Sequence, residues 1–208
     1  MSCAGHAGNL AGVHPVNAIP RAHAVFDEYL VRIHSRLRQD GHRATCSKGC
    51  FACCREPVYA ERGEVSHIVE HLQPQQRVAL EARTQEWLQR FNAAGISKGE
   101  HRPDVVAYRA HMLWCPLLVN GMCSVYKQRP IACRSHLAIK DRMFCESDSM
   151  RLSQKFATSP EAEIAAALTI VGDSRTVHFD HLGILLGNEL FGTNCHSAHA
   201  GSMELHTR

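Results

Sequence analysis

Long apolar runs, internal repeats and a strong charge imbalance are all missing from this sequence of 208 residues. Hydrophobic residues make up 45% of the chain, but no stretch approaches the apolar length that a membrane span requires, so we expect no membrane association. Residues Met1 to Val16 contain no basic cluster followed by an apolar segment, which predicts no secretory signal and a cytoplasmic location. The net charge of +3 is spread along the chain and argues against nucleic acid as a partner.

Cysteine, by contrast, is abundant. The chain has ten cysteines, and four of the nine residues from Cys46 to Cys54 are cysteine. Reducing compartments disfavour structural disulfides, and clustered cysteines in a cytosolic chain are more often metal ligands or redox groups. The chain is long enough to bury a hydrophobic core, so a bound metal need not be its only source of stability.

The hydrophobic pattern predicts a mainly α-helical domain with a small β-hairpin, organised around a cysteine-ligated metal site. Residues 1–19 and 193–208 are interpreted as flexible tails, and 20–192 as one domain. Apolar residues at helical spacing predict helices at Arg21–Gln39, Val65–Leu72, Pro74–Phe91, Val105–Trp114, Ser159–Val171 and Leu182–Leu190. Gly41 is expected to end the first helix, Pro57–Ala60 to form a short extended segment, and Pro130 to open a short helical turn.

The first cysteine group consists of Cys46, Cys50, Cys53 and Cys54. On a continuous helix these four residues would share one face. Gly49 favours a turn between the first two instead, and a turn also gathers thiolates. Because consecutive side chains rarely point at the same ion, one of the adjacent pair is left open as a ligand of a second ion or as a small buried hydrophobic residue.

The second group is Cys115, Cys123 and Cys133, with Cys145 as a further candidate. Cys133 lies near the start of the turn after Pro130, where a helix dipole would stabilise its thiolate. Five basic residues lie close in sequence to cysteines and could offset thiolate charge, although each one taken singly is better assigned to the solvated surface: Lys48, Arg55, Lys127, Arg129 and Arg134.

Asn120-Gly121 between apolar residues is a strong indication of a two-residue β-hairpin. In that register Cys123 faces Leu118, and Cys115 would lie on the opposite face of the ladder. Cys115 must therefore leave the regular ladder if it shares a metal with Cys123, and Pro116 makes such a departure plausible.

These motifs, taken in order, resemble those of a known family. Cys46-x3-Cys50-x2-Cys53-Cys54, Cys115-Pro-Leu-Leu, Gly121-x-Cys123-x2-Tyr126 and Arg129-Pro130-x2-Cys133-Arg134 are similar to the YkgJ-type cysteine-cluster family, also named CxxCxxCC and described as a zinc- or iron-chelating domain. The resemblance covers residues 46–145. It implies as metal ligands Cys46, Cys50, Cys53, Cys54, Cys115, Cys123 and Cys133, and less directly Cys145. A similar cysteine region occurs in flagellin lysine methylases.

The cofactor is interpreted as zinc or iron, including a [4Fe–4S] cluster, because all of these accept thiolate ligands. Eight cysteines would also suffice for two closed four-thiolate zinc sites. Cys46-x3-Cys50-x2-Cys53 has the spacing of radical S-adenosylmethionine enzymes, but Ala52 replaces the usual aromatic and no strand–helix barrel pattern is visible. A thioredoxin-like interpretation of Cys50-x2-Cys53 lacks its strand–helix context.

Two functions follow as hypotheses. The first is a metal-binding protein, serving as an interaction or regulatory module with a protein partner left open. The alternative is an iron–sulfur enzyme or accessory factor in protein modification. Metal delivery or storage is a weaker third hypothesis. No catalytic residue is identified from the sequence.

Histidines are numerous, and two pairs stand out by spacing. His67 and His71 lie four residues apart on the second predicted helix, a spacing that can bind zinc. No glutamate immediately follows His67, so the usual metalloprotease motif is absent. We therefore place both residues at the surface or the edge of the core, and treat His178 and His181 in the same way.

Overall fold

The computed structural model describes residues 18–44, 46, 48–95, 105–138, 155–156, 176–192 and 201–204. The described helices are α1 Ala18–Gln39, α2 Arg62–Glu70, α3 Pro74–Ala93, α4 Val105–Ala110, α5 Ile131–Arg134 and α6 Leu182–Phe191. The described strands are β1 Tyr59–Glu61, β2 Leu118–Val119, β3 Met122–Cys123, β4 Leu137–Ala138, β5 Lys155–Phe156, β6 Thr176–His181 and β7 Gly201–Glu204. The prediction of a mainly α-helical fold with a small hairpin is confirmed. In this part of the chain no helix combines the length and the apolarity that crossing a bilayer would take.

Helix α1 begins three residues before its predicted start and ends at its predicted end. Its buried face carries Phe26 and Leu30 into the core. Gly41 adopts a φ of +75°, a left-handed conformation that glycine adopts without steric cost. The backbone N–H of His42 donates to the carbonyl of Leu37 at 2.7 Å, so the chain turns back over the last helical turn.

Helix α2 starts earlier than its apolar spacing indicates because a capping box fixes its first turn. The Glu61 carboxylate accepts from the N–H of Gly63 at 2.6 Å, and the Glu64 carboxylate accepts from the N–H of Glu61 at 3.2 Å. Pro74 is the first residue of α3, as predicted. The predicted helix at 159–171 lies outside the described residues.

The structure contains an antiparallel sheet in the order β1-β6-β7, which the sequence pattern does not predict. The extended segment before α2 is confirmed as β1, which pairs Tyr59 with His181. Strand β7, which lies within the predicted C-terminal tail 193–208, pairs with β6. This short segment has no apolar alternation of its own, and its pairing depends on a partner strand distant in sequence.

The buried apolar residues form three clusters, and cysteines pack against two of them. One lies between β1, α2 and α6, and Cys115 and Cys123 pack against it. A second joins α1 to Ile131 and Leu137, and Cys46 packs against it. The third contains Trp87 and Ile184. The two cysteine groups therefore pack against different parts of the core, Cys46 against the second cluster and Cys115 and Cys123 against the first.

His181 joins β6 to α6 in the interior of the protein. Its ring stacks on Trp87 with a centroid separation of 4.8 Å, and its Nδ1 accepts from the N–H of Gly183 at 3.1 Å, capping α6. Burial lowers the pKa of His181 to about 3, so the ring is neutral at physiological pH. The predicted placement of His181 at the surface or core edge is wrong, because this residue is only 4% exposed.

Helix α6 approaches α3 most closely at Gly183, which predicts a marked cost for Gly183→Ala. A Cβ there would lie 2.6 Å from the Trp87 ring, which is fixed by stacking on two sides. We expect a loss of about 1–3 kcal/mol in unfolding free energy, as overpacked cores show, in spite of the better helix propensity of alanine. Denaturant titration followed by circular dichroism measures this loss.

Gly187→Ala in the same helix is the matched control. There the new Cβ would meet the mobile end of the Leu88 side chain at 2.8 Å, which can rotate away. We expect a change well below that of Gly183→Ala. Equal losses in the two variants would contradict close packing on Trp87 as the cause.

Candidate metal centre

The first cysteine group is shaped by a turn followed by a 3₁₀ helix. Gly49 has a φ of +93°, and the 3₁₀ helix spans Ala52–Arg55. The predicted turn between Cys46 and Cys50 is therefore confirmed, and the alternative of one continuous helix through the four cysteines is wrong. The Cys46 sulfur accepts a hydrogen bond from the backbone N–H of Ala138 at 3.1 Å, which ties this loop to β4.

The adjacent residues Cys53 and Cys54 point toward the same region. A hydrogen bond to the Cys54 side chain is the main cause of the raised pKa of the Cys53 thiol, followed by burial. The tight backbone of a 3₁₀ helix allows this contact. The two adjacent side chains therefore contact each other, and whether both bind one ion stays a prediction.

The predicted hairpin is confirmed. Asn120 and Gly121 have φ angles of 50° and 73°, as a type I′ turn requires, and Leu118 pairs with Cys123. Cys115 precedes the ladder, as expected. Its N–H donates to the carbonyl of Cys54 at 2.8 Å, so the backbone itself joins the two cysteine groups.

Cys133 lies on α5, where its N–H donates to the carbonyl of Pro130 at 2.9 Å. Burial is the main cause of the raised pKa of its thiol, and the nearby Cys53 and Cys123 raise it further. The expected stabilisation of the Cys133 thiolate by a helix dipole stays a prediction, and on a helix of four residues any such effect would oppose that of burial.

The two cysteine groups meet around Cys53. Negative charge on Cys53 raises the pKa of four other thiols: Cys46, Cys115, Cys123 and Cys133. In each of these four, burial is the largest cause. Cys50 in turn raises the pKa of Cys46. All seven described cysteines are free thiols, so no disulfide consumes them.

The donor set suits a soft or borderline metal, although the sulfurs are not yet at ligand distance. Among the described residues no three sulfurs lie within 4.8 Å of one another. Thiolates on one tetrahedral zinc lie roughly 3.8 Å apart, given a Zn–S bond of about 2.3 Å. Side-chain rotation would therefore have to complete any ligation. Cys145 lies outside the described residues, as do Cys3 and Cys195.

Arg129 is the basic residue that acts most widely on this group. It lowers the pKa of Cys46, Cys123 and Cys133, opposing the larger effect of burial. Its guanidinium lies 4.1 Å from the centre of the Tyr126 ring, and its Nε is buried without a hydrogen-bond partner in the described part of the chain. A fixed positive charge at this position favours thiolates over thiols.

Arg134 is buried, which corrects its assignment to the solvated surface, and it holds the segment that carries Cys133. Its guanidinium donates to the carboxylate of Asp27 on α1 at 2.7 Å and to the carbonyl of Arg129 at 2.9 Å. It also donates to the carbonyl of Lys127. The chain before α5 is therefore fastened to α1.

Glu64 fastens the same segment to α2. Its buried carboxylate accepts from the N–H of Ile131 at 2.8 Å and lies 3.4 Å from the Nε2 of His23. Sequence reasoning missed this role of Glu64. The capping-box spacing with Glu61 could have placed it in the first turn of α2, but its partner 67 residues away could not have been found that way.

A cavity of about 210 Å³ adjoins the centre at Cys115. Its lining includes Trp114, which is 41% exposed, and Arg83, whose Nε donates to the carbonyl of Pro116 at 2.8 Å. The Arg55 guanidinium lies 5.1 Å from the centre of the Trp114 ring. The cysteine centre thus has an aromatic and basic cavity directly beside it.

Comparison with known proteins gives one family and no individual relative. No curated protein and no solved structure matches the chain. The model of the family CxxCxxCC, described as "putative zinc- or iron-chelating domain", matches residues 45–152. That range includes both cysteine groups and Cys145. The chain therefore belongs to the CxxCxxCC family of zinc- or iron-chelating domains.

Proposed function

We propose that the protein holds zinc or an iron–sulfur cluster through thiolates drawn from Cys46, Cys50, Cys53, Cys54, Cys115, Cys123 and Cys133, with Cys145 as a further candidate. The observation that carries the proposal is that four free thiols from separate segments, Cys46, Cys115, Cys123 and Cys133, each lie close enough to Cys53 for its charge to affect their pKa. Once ionised, thiolates placed this close to one another would repel. A cation removes that repulsion.

The colour and the elemental content of the purified protein distinguish bound zinc from a bound iron–sulfur cluster. A closed four-thiolate zinc site has no redox chemistry and leaves no position for a substrate, which suits a structural or regulatory module. An iron–sulfur cluster absorbs visible light. Elemental analysis and a visible spectrum of protein prepared without oxygen decide between them.

Metal binding is expected to release protons, which gives a second measurable result. Burial keeps the pKa values of Cys115, Cys123 and Cys133 above the ordinary range, so these thiols are protonated near pH 7 in the absence of a cation. A metal binds only the thiolates and must displace these protons. Affinity should therefore fall as the pH is lowered.

Calorimetry of zinc binding in buffers of different ionisation enthalpy measures the number of protons released. We expect about four protons for each closed four-thiolate site. Binding without proton release would contradict ligation by these thiols, because a protonated thiol must lose its proton to bind the metal.

The alternative function, an iron–sulfur enzyme or accessory factor, is favoured by the cavity beside Cys115. A cluster bound next to an open cavity could meet a substrate, whereas a site closed on all sides could not. This alternative requires iron and sulfide in the purified protein. A colourless protein with stoichiometric zinc would leave the first proposal standing alone.

A further inference from the structure

Three side chains of metal-ligating type lie at the end of α2, with His67 and Glu70 in the helix and His71 as its C-cap. His67, Glu70 and His71 occupy positions i, i+3 and i+4, so they share one face of the helix. One ligand atom from each lies within 4.8 Å of the other two. Among the described residues this is the closest approach of three metal-ligand atoms to a common point.

The hydrogen bond of His71 orients its ring for ligation. The Nδ1 of His71 lies 2.8 Å from the carbonyl oxygen of His67, so Nδ1 carries the proton and donates it. The lone pair is then on Nε2. A backbone carbonyl that holds the second ring nitrogen is the usual support of a histidine metal ligand. The His67 and His71 rings lie side by side, with centroids 4.1 Å apart.

Neighbouring groups leave these three side chains available. The nearest other histidine, His23, meets His67 edge-on at 6.1 Å, but its ring nitrogens lie at hydrogen-bond distance from Glu64 and Arg134, 3.4 Å in each case. Glu70 is exposed and has no hydrogen bond or ion pair with another described residue. No nearby cation therefore neutralises the carboxylate in the described structure.

The sequence carries a motif that corresponds to this cluster. The usual metalloprotease motif has its glutamate immediately after the first histidine, whereas here the glutamate immediately precedes His71. His67-Ile-Val-Glu70-His71 has the His-x-x-Glu-His spacing of inverted zinc motifs. In those motifs the two histidines bind zinc and the glutamate serves as general base, so the spacing supports the histidines alone. A match of three fixed residues in a window of five is weak by itself. The measured proximity of the three side chains is what gives it weight.

We infer that His67, Glu70 and His71 form a second metal site, for a divalent cation such as Zn²⁺. The donors are two nitrogens and one oxygen, unlike the sulfur donors of the cysteine centre. A zinc ion with three protein ligands keeps a fourth position for water or substrate. The site faces solvent on the outer side of α2, since Glu70 and His71 are exposed.

Titration of purified protein, with its cysteine centre already loaded, tests the inference. Calorimetry with Zn²⁺ should reveal one additional equivalent per chain. His71→Gln and Glu70→Gln alter exposed residues and should leave the fold intact. Each should weaken this second binding step by about tenfold or more, because even outer-shell groups cost 10–100-fold in metal affinity. His42→Gln removes an exposed histidine elsewhere and should bind as the unaltered protein does.

Replacing Zn²⁺ with Co²⁺ in the same titration separates the two sites. Cobalt bound by His and Glu lacks the thiolate charge-transfer absorption that cobalt bound by cysteine shows. The inference is overturned if the additional equivalent is absent, if it survives unchanged in both variants, if His42→Gln weakens it equally, or if it brings thiolate absorption. The outcome is independent of which metal the cysteines hold.

Discussion

Cys133→Ser is expected to lower the metal content and the stability of the protein together. Cys133 lies where α5 meets the other cysteines, and its thiol interacts with Cys53 and Cys123. Serine removes the sulfur donor with little change in volume. Structural zinc sites contribute about 10–16 kcal/mol of apparent binding free energy in small peptides, so losing one ligand should lower the unfolding free energy by several kcal/mol.

The matched control for this prediction is Cys195→Ser, the same chemical change outside the matched family region. It should retain full metal content. Metal analysis and denaturant titration of both variants make the comparison, and Cys50→Ser is expected to behave like Cys133→Ser. If Cys133→Ser keeps its metal and its stability, Cys133 is not a ligand and the proposed centre must be reassigned.

The local features of the metal centre were predictable because local chemistry determines them. Gly49 and Asn120-Gly121 adopt the left-handed conformations that their residue types favour, and these turns position the cysteines. The position of Cys115 outside the hairpin ladder was expected from side-chain alternation and Pro116, on the assumption that Cys115 shares a metal with Cys123. Helix periodicity and Pro74 likewise placed α1, α3 and α6 to within a few residues.

Features that depend on distant partners were not predictable in the same way. Strand β7 pairs with β6 through backbone hydrogen bonds that leave no pattern in a short polar segment. His181 is buried because Trp87 and Tyr108 close over it, and both lie far away in sequence. A single histidine gives no sign of whether aromatic rings will surround it.

Two helices support the segment that carries Cys133, and neither contributes a cysteine. Glu64 on α2 holds the start of α5 through the N–H of Ile131, and Asp27 on α1 holds Arg134. These contacts fix the backbone of α5 before any metal binds. Folding therefore positions Cys133 in advance, so metal binding does not have to order this residue. This should increase the affinity of the centre for metal.

Arg134→Met is accordingly expected to destabilise the protein by about 3 kcal/mol, because two backbone carbonyls would lose a buried, charged hydrogen-bond donor. Methionine fills most of the volume but leaves the carbonyls of Lys127 and Arg129 without this donor. Arg134→Lys should not restore stability, since an ammonium cannot reach a carboxylate and two carbonyls as a planar guanidinium does. Denaturant titration of the metal-loaded variants measures both effects.

Asp27→Asn distinguishes support of the backbone from the simple loss of an ion pair. The Asp27 side chain is 56% exposed, so its pairing with Arg134 should contribute only about 0–1 kcal/mol. A loss in Arg134→Met no larger than in Asp27→Asn, or full stability in Arg134→Lys, would show that the carbonyl contacts are dispensable. If Arg134 acts by supporting the backbone, Arg134→Met should also weaken metal binding by about tenfold, as the loss of groups that orient ligands does. Asp27→Asn should leave metal binding nearly unchanged.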